Sequence, residues 1–413
     1  MNFQDSKEQA IFRSRVQRWL KENAGDFLVT PEMPEKQAHD LGRAWQARKA
    51  TEGYTGFTLP QAFGGRGGNM LDQMIFQAEE GTYALPLFNS FVESWGVALP
   101  VIGAFGTPEQ YADLGPATLR GDVVWCQLFS EPSGGSDAAA IRTRAVRDGD
   151  EWVINGQKVW TSDAHLSDWG ILLARTNPEV AKHKGLTMFL LDMRSPGVEV
   201  RPIRKINGDS EFNEVFFTDV RIADRWRVGE VDGGWKVCHA TFNEENSAFS
   251  GAPSVIRDVF EPLLSLSASV KDGDGRPMLE NALVRATIAD YYVTCSSVKY
   301  TRYRQYTSMA KGGRLGFEGA ISKLVLARLM QKIGAFGMDM VGLAGLLDDE
   351  AASAELAEFQ QAFLVGPGLR IGGGTDEILL NNIAERVLGL PAGPRADKDV
   401  AFKDLPSSAS SRT

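Results

Sequence analysis

A run of small and hydroxyl-bearing residues from Ser130 to Asp137, SEPSGGSD, is the part of the chain best suited to hold a ligand close to its backbone. Glycine permits close approach, and hydroxyls together with free N–H groups can satisfy an anionic or carbonyl-rich partner. Downstream, Asp148-Gly149 and Asn155-Gly156 sit between short alternating runs, a pattern that predicts two consecutive β-hairpins. An aromatic-hydroxyl triplet, Trp160-Thr161-Ser162, closes the second run. Residues 127–165 are therefore expected to carry chemistry.

Other chemistries find little support. The three cysteines, Cys126, Cys238 and Cys295, are far apart and odd in number, which argues against a disulfide framework and suits a reducing compartment. The four histidines, His39, His165, His183 and His239, are scattered without HExxH or another ligand spacing, so no metal site is expected. With 44 basic against 53 acidic residues, a net charge of −9 and no long basic block, neither nucleic acid nor an anionic membrane is an expected partner. The first residues lack a secretory pattern, and no run approaches the ~18 apolar residues of a membrane span. A cytoplasmic location is expected.

The elements that must position the loop can be read from periodicity. Phe12, Val16, Trp19 and Leu20 form one apolar stripe of a helix over residues 6–23, opening a helical first third. Pro60 and the glycine cluster at 64–68 interrupt it; that cluster follows no strand and is weak evidence for a dinucleotide site. Helical pattern resumes from 71 to 121. Runs at 151–155, 157–161, 169–174, 186–191, 198–202 and 214–218 read as strands of a mostly antiparallel domain over 122–231.

After Gly233-Gly234 helices return. Ile256, Val259, Phe260, Leu263 and Leu264 make one stripe, and Val284, Ile288, Tyr291, Cys295 and Val298 another. A central helix is expected at 319–345 and a last one at 376–388, stopped by Gly389 and Pro391. The division expected is 1–121, 122–231 and 232–391, with a disordered tail over 392–413. Without βαβ alternation or GxGxxG the chain has no Rossmann domain, so a redox cofactor would bind in another way.

Four motifs in order, FSEPSGGSD (129–137), INGQKVWTS (154–162), FNEVFFTDVRI (212–222) and GGGTDEILLNNIAERVLGLP (372–391), make the chain resemble the acyl-CoA dehydrogenases over about residues 3–391. The resemblance implies an α+β fold: an N-terminal helical domain, a middle antiparallel β-domain and a C-terminal four-helix bundle. It also implies FAD as cofactor. Gln127, Leu128, Phe129, Ser130, Gly135 and Ser136 would hold the pyrimidine end of the flavin, with Ser130 facing the ring and Ser136 also touching the acyl-CoA. Trp160, Thr161 and Ser162 would cover the isoalloxazine, Ser162 near N5. Thr375 and Glu377 match positions at the distal part of FAD, and residues 339–345 a segment reaching the FAD of a neighbouring subunit. Arg276 is the stand-in for the basic motif that holds the adenine half.

The family removes a proton from the α-carbon of the thioester while hydride leaves the β-carbon, which requires a carboxylate base. The commonest position for that Glu is occupied here by Gly373. A second solution in the family aligns with Glu245, and Asn246 stands where Arg is usual. Glu244 is its neighbour, and successive helix positions face ~100° apart, so only one points inward. Asp376 is a third candidate, better suited to a first helical turn. The expected activity is FAD-dependent α,β-dehydrogenation of an acyl-CoA, with electrons passed to an electron-transferring flavoprotein, by a homodimer, homotetramer or hetero-oligomer. Two alternatives stand: a non-catalytic or half-site subunit, and an oxygen-using oxidase or monooxygenase on the same fold.

Overall fold

The computed structural model describes residues 5–30, 32–250, 260–310, 319–347, 354–394, 397 and 399–405; within helices, the side chains of 243, 245–250, 306, 309, 310, 319, 354 and 355 lie outside that description. Two compact units result: residues 5–252 with 393–413, and residues 253–392 with 1–4. No helix among the described residues is long and apolar enough to cross a membrane.

The first helix, α1 (Lys7–Asn23), starts where Ser6 accepts the Gln9 N–H and the Gln9 side chain accepts the Ser6 N–H. Such a cap contributes about 1 kcal/mol. Phe12, Val16, Trp19 and Leu20 are buried, as their spacing predicts. They meet Trp45 of α2 (Glu35–Thr51) and Phe76 of α3 (Met70–Glu80). Glu80 is buried there without being isolated: it accepts from Trp45 Nε1 at 2.7 Å and pairs with Lys49 at 2.9 Å. After a break at 81–88, α4 (Asn89–Val92), a π-turn (Glu93–Ala98) and α5 (Leu99–Phe105) run on as one rod, followed by α6 (Pro108–Arg120).

The β-domain comprises β1 (Trp125–Leu128), β2 (Arg144–Asp148), β3 (Glu151–Ser162), β4 (Trp169–Arg175), β5 (Leu186–Asp192), β6 (Val198–Ile203), β7 (Phe212–Ala223) and β8 (Arg227–Val228). Their order is β6-β7-β3-β2-β4-β5-β8, and β1 pairs in parallel with β4. β2 meets β4 at one pair only, Arg144 opposite Arg175. The two halves share a core in which Leu128, Leu172 and Phe189 meet Trp152, Ile154 and Val215. Because side chains alternate along a strand, Trp125, Ile171, Met188 and Leu190 face the other way, into a second core with α5, α6 and α7 (Gly234–Ser250).

One expected turn is absent. Asp148-Gly149 does join β2 to β3, but Asn155-Gly156 is no hairpin; β3 passes straight through it. Gly156 is there because the chain opposite is too close: a Cβ would lie 2.7 Å from Thr143 Cα. Asn155 is used differently, its side chain bonding Asp219 of β7 at 3.0 Å.

The second unit contains α8 (Phe260–Ser269), α9 (Ala282–Ala310), α10 (Gly319–Met340), α11 (Ala354–Leu369) and α12 (Asp376–Asn382). Phe260, Leu263, Val284, Ile288, Ile333 and Phe359 build its core. Gly337 lets α10 meet α11, since a Cβ there would lie 2.4 Å from the Phe359 ring. The stripe on α9 is buried at Val284, Ile288 and Val298, while Ile256 and Val259 lie outside the described residues. The expected helix at 319–345 ends at Met340 and gives way to a 3-10 turn, Gly342–Leu346. The last helix is shorter than expected, with a π-turn over Ile383–Val387.

The tail expected to be disordered is docked at 399–405. Ala401 bridges Ala181, the Phe402 N–H bonds the Val180 carbonyl at 2.8 Å, and the buried Phe402 ring lies 3.8 Å from the Arg175 guanidinium and 5.2 Å from that of Arg142. A single large ring gripped by two cations outweighs the polar composition around it.

Candidate functional site

The loop after β1 is tightened by reciprocal bonds between Glu131 and Gly134, 2.9 and 3.0 Å. Beneath it lies an ion pair that is almost wholly buried. Lys158 Nζ donates to Glu131 Oε1 at 2.8 Å and to the Phe129 carbonyl at 3.0 Å. Glu131 also accepts the N–H groups of Arg142 and Thr143 at 2.6 and 2.9 Å. Burial alone would raise the Glu131 carboxyl, but Lys158 and these N–H groups hold it below the usual carboxylate value. Burial likewise draws the Lys158 ammonium down, against the pull of Glu131. With this pair underneath, Leu128 and Phe129 are buried, Gln127 and Ser130 half-buried, and Gly135 and Ser136 exposed.

The Trp160-Thr161-Ser162 triplet lies beside that loop, because the Val159 N–H donates to the Ser130 carbonyl at 2.9 Å. Along β3 the residues Trp152, Ile154 and Lys158 point inward, so simple alternation would bury Trp160. A bulge between Lys158 and Thr161 and a left-handed Trp160, φ +62°, prevent it. The indole is 59% exposed, edge-on to Phe212 at 6.0 Å, and Thr161 is buried in its place. Thr161 Oγ1 has no hydrogen-bond partner among the described residues. Ser162 is half-buried, and Asp163, also left-handed, accepts the Ser90 N–H at 2.9 Å.

The helix α7 reaches the same loop, with Phe242 edge-on to Phe129 at 5.8 Å. Val237, Cys238 and Thr241 form its buried stripe. Glu244 follows Thr241 by three residues; it is half-buried, and burial pushes its carboxyl up from the ordinary value. The side chain of Glu245 lies outside the described residues.

In the C-terminal unit Thr375 caps α12, its hydroxyl accepting the Ile378 N–H at 3.1 Å. Asp376 is buried and engaged by Arg328 at 3.0 Å and Arg370 at 2.9 Å, whereas Glu377 is exposed. Gly373 and Gly374 take positive φ, and the Lys323 ammonium donates to the carbonyls of Gly372, Gly373 and Gly374. Asp339 lies in the last turn of α10, and Gly345 packs against Met338 while its carbonyl accepts from Gln360. Arg276 is occupied by its own turn, pairing with Asp274 at 2.6 Å and Asp272 at 3.5 Å.

Models of the acyl-CoA dehydrogenase N-terminal, middle and C-terminal domains match residues 6–122, 126–220 and 232–388 respectively. The chain belongs to the acyl-CoA dehydrogenase family. Acyl-CoA dehydrogenase IpdE1 of Mycobacterium tuberculosis is 37% identical over 394 residues, 92% of this chain and 97% of that protein. Acyl-CoA dehydrogenase FadE34 of the same organism is 36% identical over 93% of this chain, which spans only about half of that relative (51%). Among solved structures, the ChsE4-ChsE5 complex from M. tuberculosis matches with a TM-score of 0.80 and 26% identity, covering 95% of this chain and 100% of that one. The α+β architecture expected from the motifs is thus the family's own, and the family is one of oxidoreductases.

Within this acyl-CoA dehydrogenase the structure brings together Gln127, Leu128, Phe129, Ser130, the Trp160-Thr161-Ser162 triplet and α7. Thr375, Asp376 and Glu377 stand in the other unit. Sequence reasoning passed over Glu131 and Lys158. A signal existed: a lysine on the inward register of a strand, at two-residue spacing from Ile154 through Gly156, needs a buried partner. The residues present fit a flavin: among the described residues nothing lies within 4 Å of where a Cβ on Gly135 would stand, and Trp160 offers an exposed aromatic face beside the loop.

Proposed function

We propose that this family member is an FAD-dependent acyl-CoA dehydrogenase that takes an α-proton and a β-hydride from an acyl-CoA thioester. The observation that carries the reading is the meeting of Phe242 with Phe129, which sets a carboxylate-bearing helix against the Ser/Gly loop. FAD, when bound, supplies the hydride acceptor. Gln127, Leu128, Phe129, Ser130, Gly135 and Ser136 hold its pyrimidine end through backbone N–H groups and hydroxyls, fixed donors that favour negative charge at that end. Trp160 walls the ring from water, and Thr161 and Ser162 complete that side. Ser136, exposed at the loop tip, also binds the acyl-CoA. Glu245 removes the α-proton; Glu244, half-buried with its carboxyl raised by burial, is the alternative base, since only one of the two neighbours points inward. Thr375 and Glu377 serve the distal half of FAD. Electrons pass to an electron-transferring flavoprotein.

The test is direct: the purified chain should be yellow, contain FAD, and bleach anaerobically with an acyl-CoA from a panel of straight, branched, aromatic and steroid thioesters. A colourless chain that FAD does not reconstitute would sink the reading.

A second reading is favoured by Gly373 at the commonest base position and by likeness to a complex of two different chains. In it, this chain supplies half of a site within a hetero-oligomer. Leu343, Leu346 and Leu347, exposed on one short turn, support a covering chain of either kind, identical or not. Turnover by the purified chain alone would exclude it.

A further inference from the structure

The flavin reading leaves the buried Lys158–Glu131 pair without a task. Its geometry gives it one. The Phe129 carbonyl and the Ser130 N–H belong to a single peptide unit, and no cis peptide occurs among the described residues, so the two bonds point in opposite directions. The carbonyl is aimed into the interior, at Lys158 Nζ, 3.0 Å away. The Ser130 N–H is therefore aimed the other way, away from Lys158, on a half-buried residue that opens a loop whose Gly135 and Ser136 are exposed.

We propose that Lys158 is a positioning residue that strengthens the Ser130 N–H as a donor to bound flavin, acting through the Phe129–Ser130 peptide and so raising the flavin reduction potential. The inference rests on the flavin reading above. An ammonium hydrogen-bonded to a carbonyl polarises the N–H of the same peptide, as linked hydrogen bonds reinforce one another at low dielectric. Glu131 pins the ammonium at 2.8 Å and is itself satisfied by Arg142 and Thr143, so the lever is rigid. A stronger donor at the pyrimidine end favours the reduced flavin, where negative charge accumulates.

The test is a potential measured on purified holoprotein against a reference dye. Lys158→Met should keep FAD and its far-UV circular dichroism but lower the ratio of reduced to oxidised flavin about tenfold, about 30 mV for a two-electron couple. Lys158→Arg, which keeps a charged donor, should restore most of it. Because the single variant leaves Glu131 without its cation, the neutral pair Lys158→Met with Glu131→Gln is measured beside it and should shift the same way. An unchanged ratio in a folded, FAD-loaded variant overturns the inference and leaves the flavin reading intact. A wild-type chain without FAD overturns both. Should neither variant fold, the C2=O stretch of isotope-labelled FAD in the wild type decides: a band below that of free FAD is expected, and an unshifted band overturns the inference.

Discussion

The hydrogen bond from the Val159 N–H to the Ser130 carbonyl, 2.9 Å long, joins two motifs that lie on either side of the β2–β3 turn. It makes the ligand loop and the aromatic triplet one surface. Since Lys158, next to Val159, also holds the Phe129 carbonyl, a two-residue segment of β3 fixes both peptides at the start of the loop.

On α7 the choice of base can be made by two substitutions. Glu245→Gln is expected to fold, retain FAD and lose anaerobic bleaching by about 10²–10⁴-fold, the usual contribution of a positioned base. Glu244→Gln should bleach within a few-fold of the wild type. Stopped-flow flavin absorbance measures both, and the opposite pattern transfers the role to Glu244.

Asp376 is assigned a structural part. Removing a buried carboxylate held by Arg328 and Arg370 leaves two cations without their partner, but both are substantially exposed, so the loss is moderated. Asp376→Ala should lower the stability of the C-terminal unit by about 2 kcal/mol in urea melts followed by far-UV circular dichroism. Asp376→Asn should still bleach; its failure to do so with FAD in place would make Asp376 the base.

His39 gives the first unit a pH dependence. Its ring stacks on Phe91 at 5.1 Å, and burial, reinforced by Arg43, pushes the imidazole down to about 4. The unfolded value is about 6.5. A base with a lower folded value binds fewer protons when folded, so its contribution is intact above pH 6.5 and is lost as pH falls toward 4. Between pH 7 and pH 5 this amounts to about 1–2 kcal/mol. All nine tryptophans lie between Trp19 and Trp235, so their fluorescence reports this unit. His39→Gln should flatten the dependence of the urea midpoint on pH; an unaltered slope would place the titration elsewhere.

The docked tail is open to a similar check. Phe402→Ala removes the ring between Arg175 and Arg142 and should cost about 2 kcal/mol at the tail contact. Limited proteolysis should then release the segment after residue 393 severalfold faster, with Arg142→Ala intermediate. Equal cleavage rates would mean that the backbone bonds to Val180 and Pro178 alone hold it.

Helix positions were legible wherever burial followed the 3.6-residue period. Phe12, Val16, Trp19 and Leu20 are buried as a set, and so are Val284, Ile288 and Val298. What escaped depended on contacts across the fold. Asn155-Gly156 has turn composition, but its glycine answers to Thr143, just before the neighbouring strand β2, which no local window contains. Lys158 and Glu131 are far apart in sequence and meet only once the loop closes over β3. Phe402 sits in a polar tail, and its burial follows from two arginines that precede it by more than two hundred residues. The family motifs offered what periodicity could not, a proposed place for the flavin, because their residues come together only after folding.

The bulge at Trp160 works as a change of parity. Upstream of it even-numbered positions of β3 face the core; after it Thr161 does. Deleting Val159 would remove the extra residue: Thr161 would stay opposite Asn213 and inward, while Trp160 would lose its left-handed kink and take the outward-facing position of a regular strand. Substitutions at Trp160 thus leave the bulge in place, whereas a single-codon deletion abolishes it and re-aims the indole while Thr161 and Ser162 keep their partners on β7. Alignments of relatives in this segment should tolerate changed letters and refuse gaps.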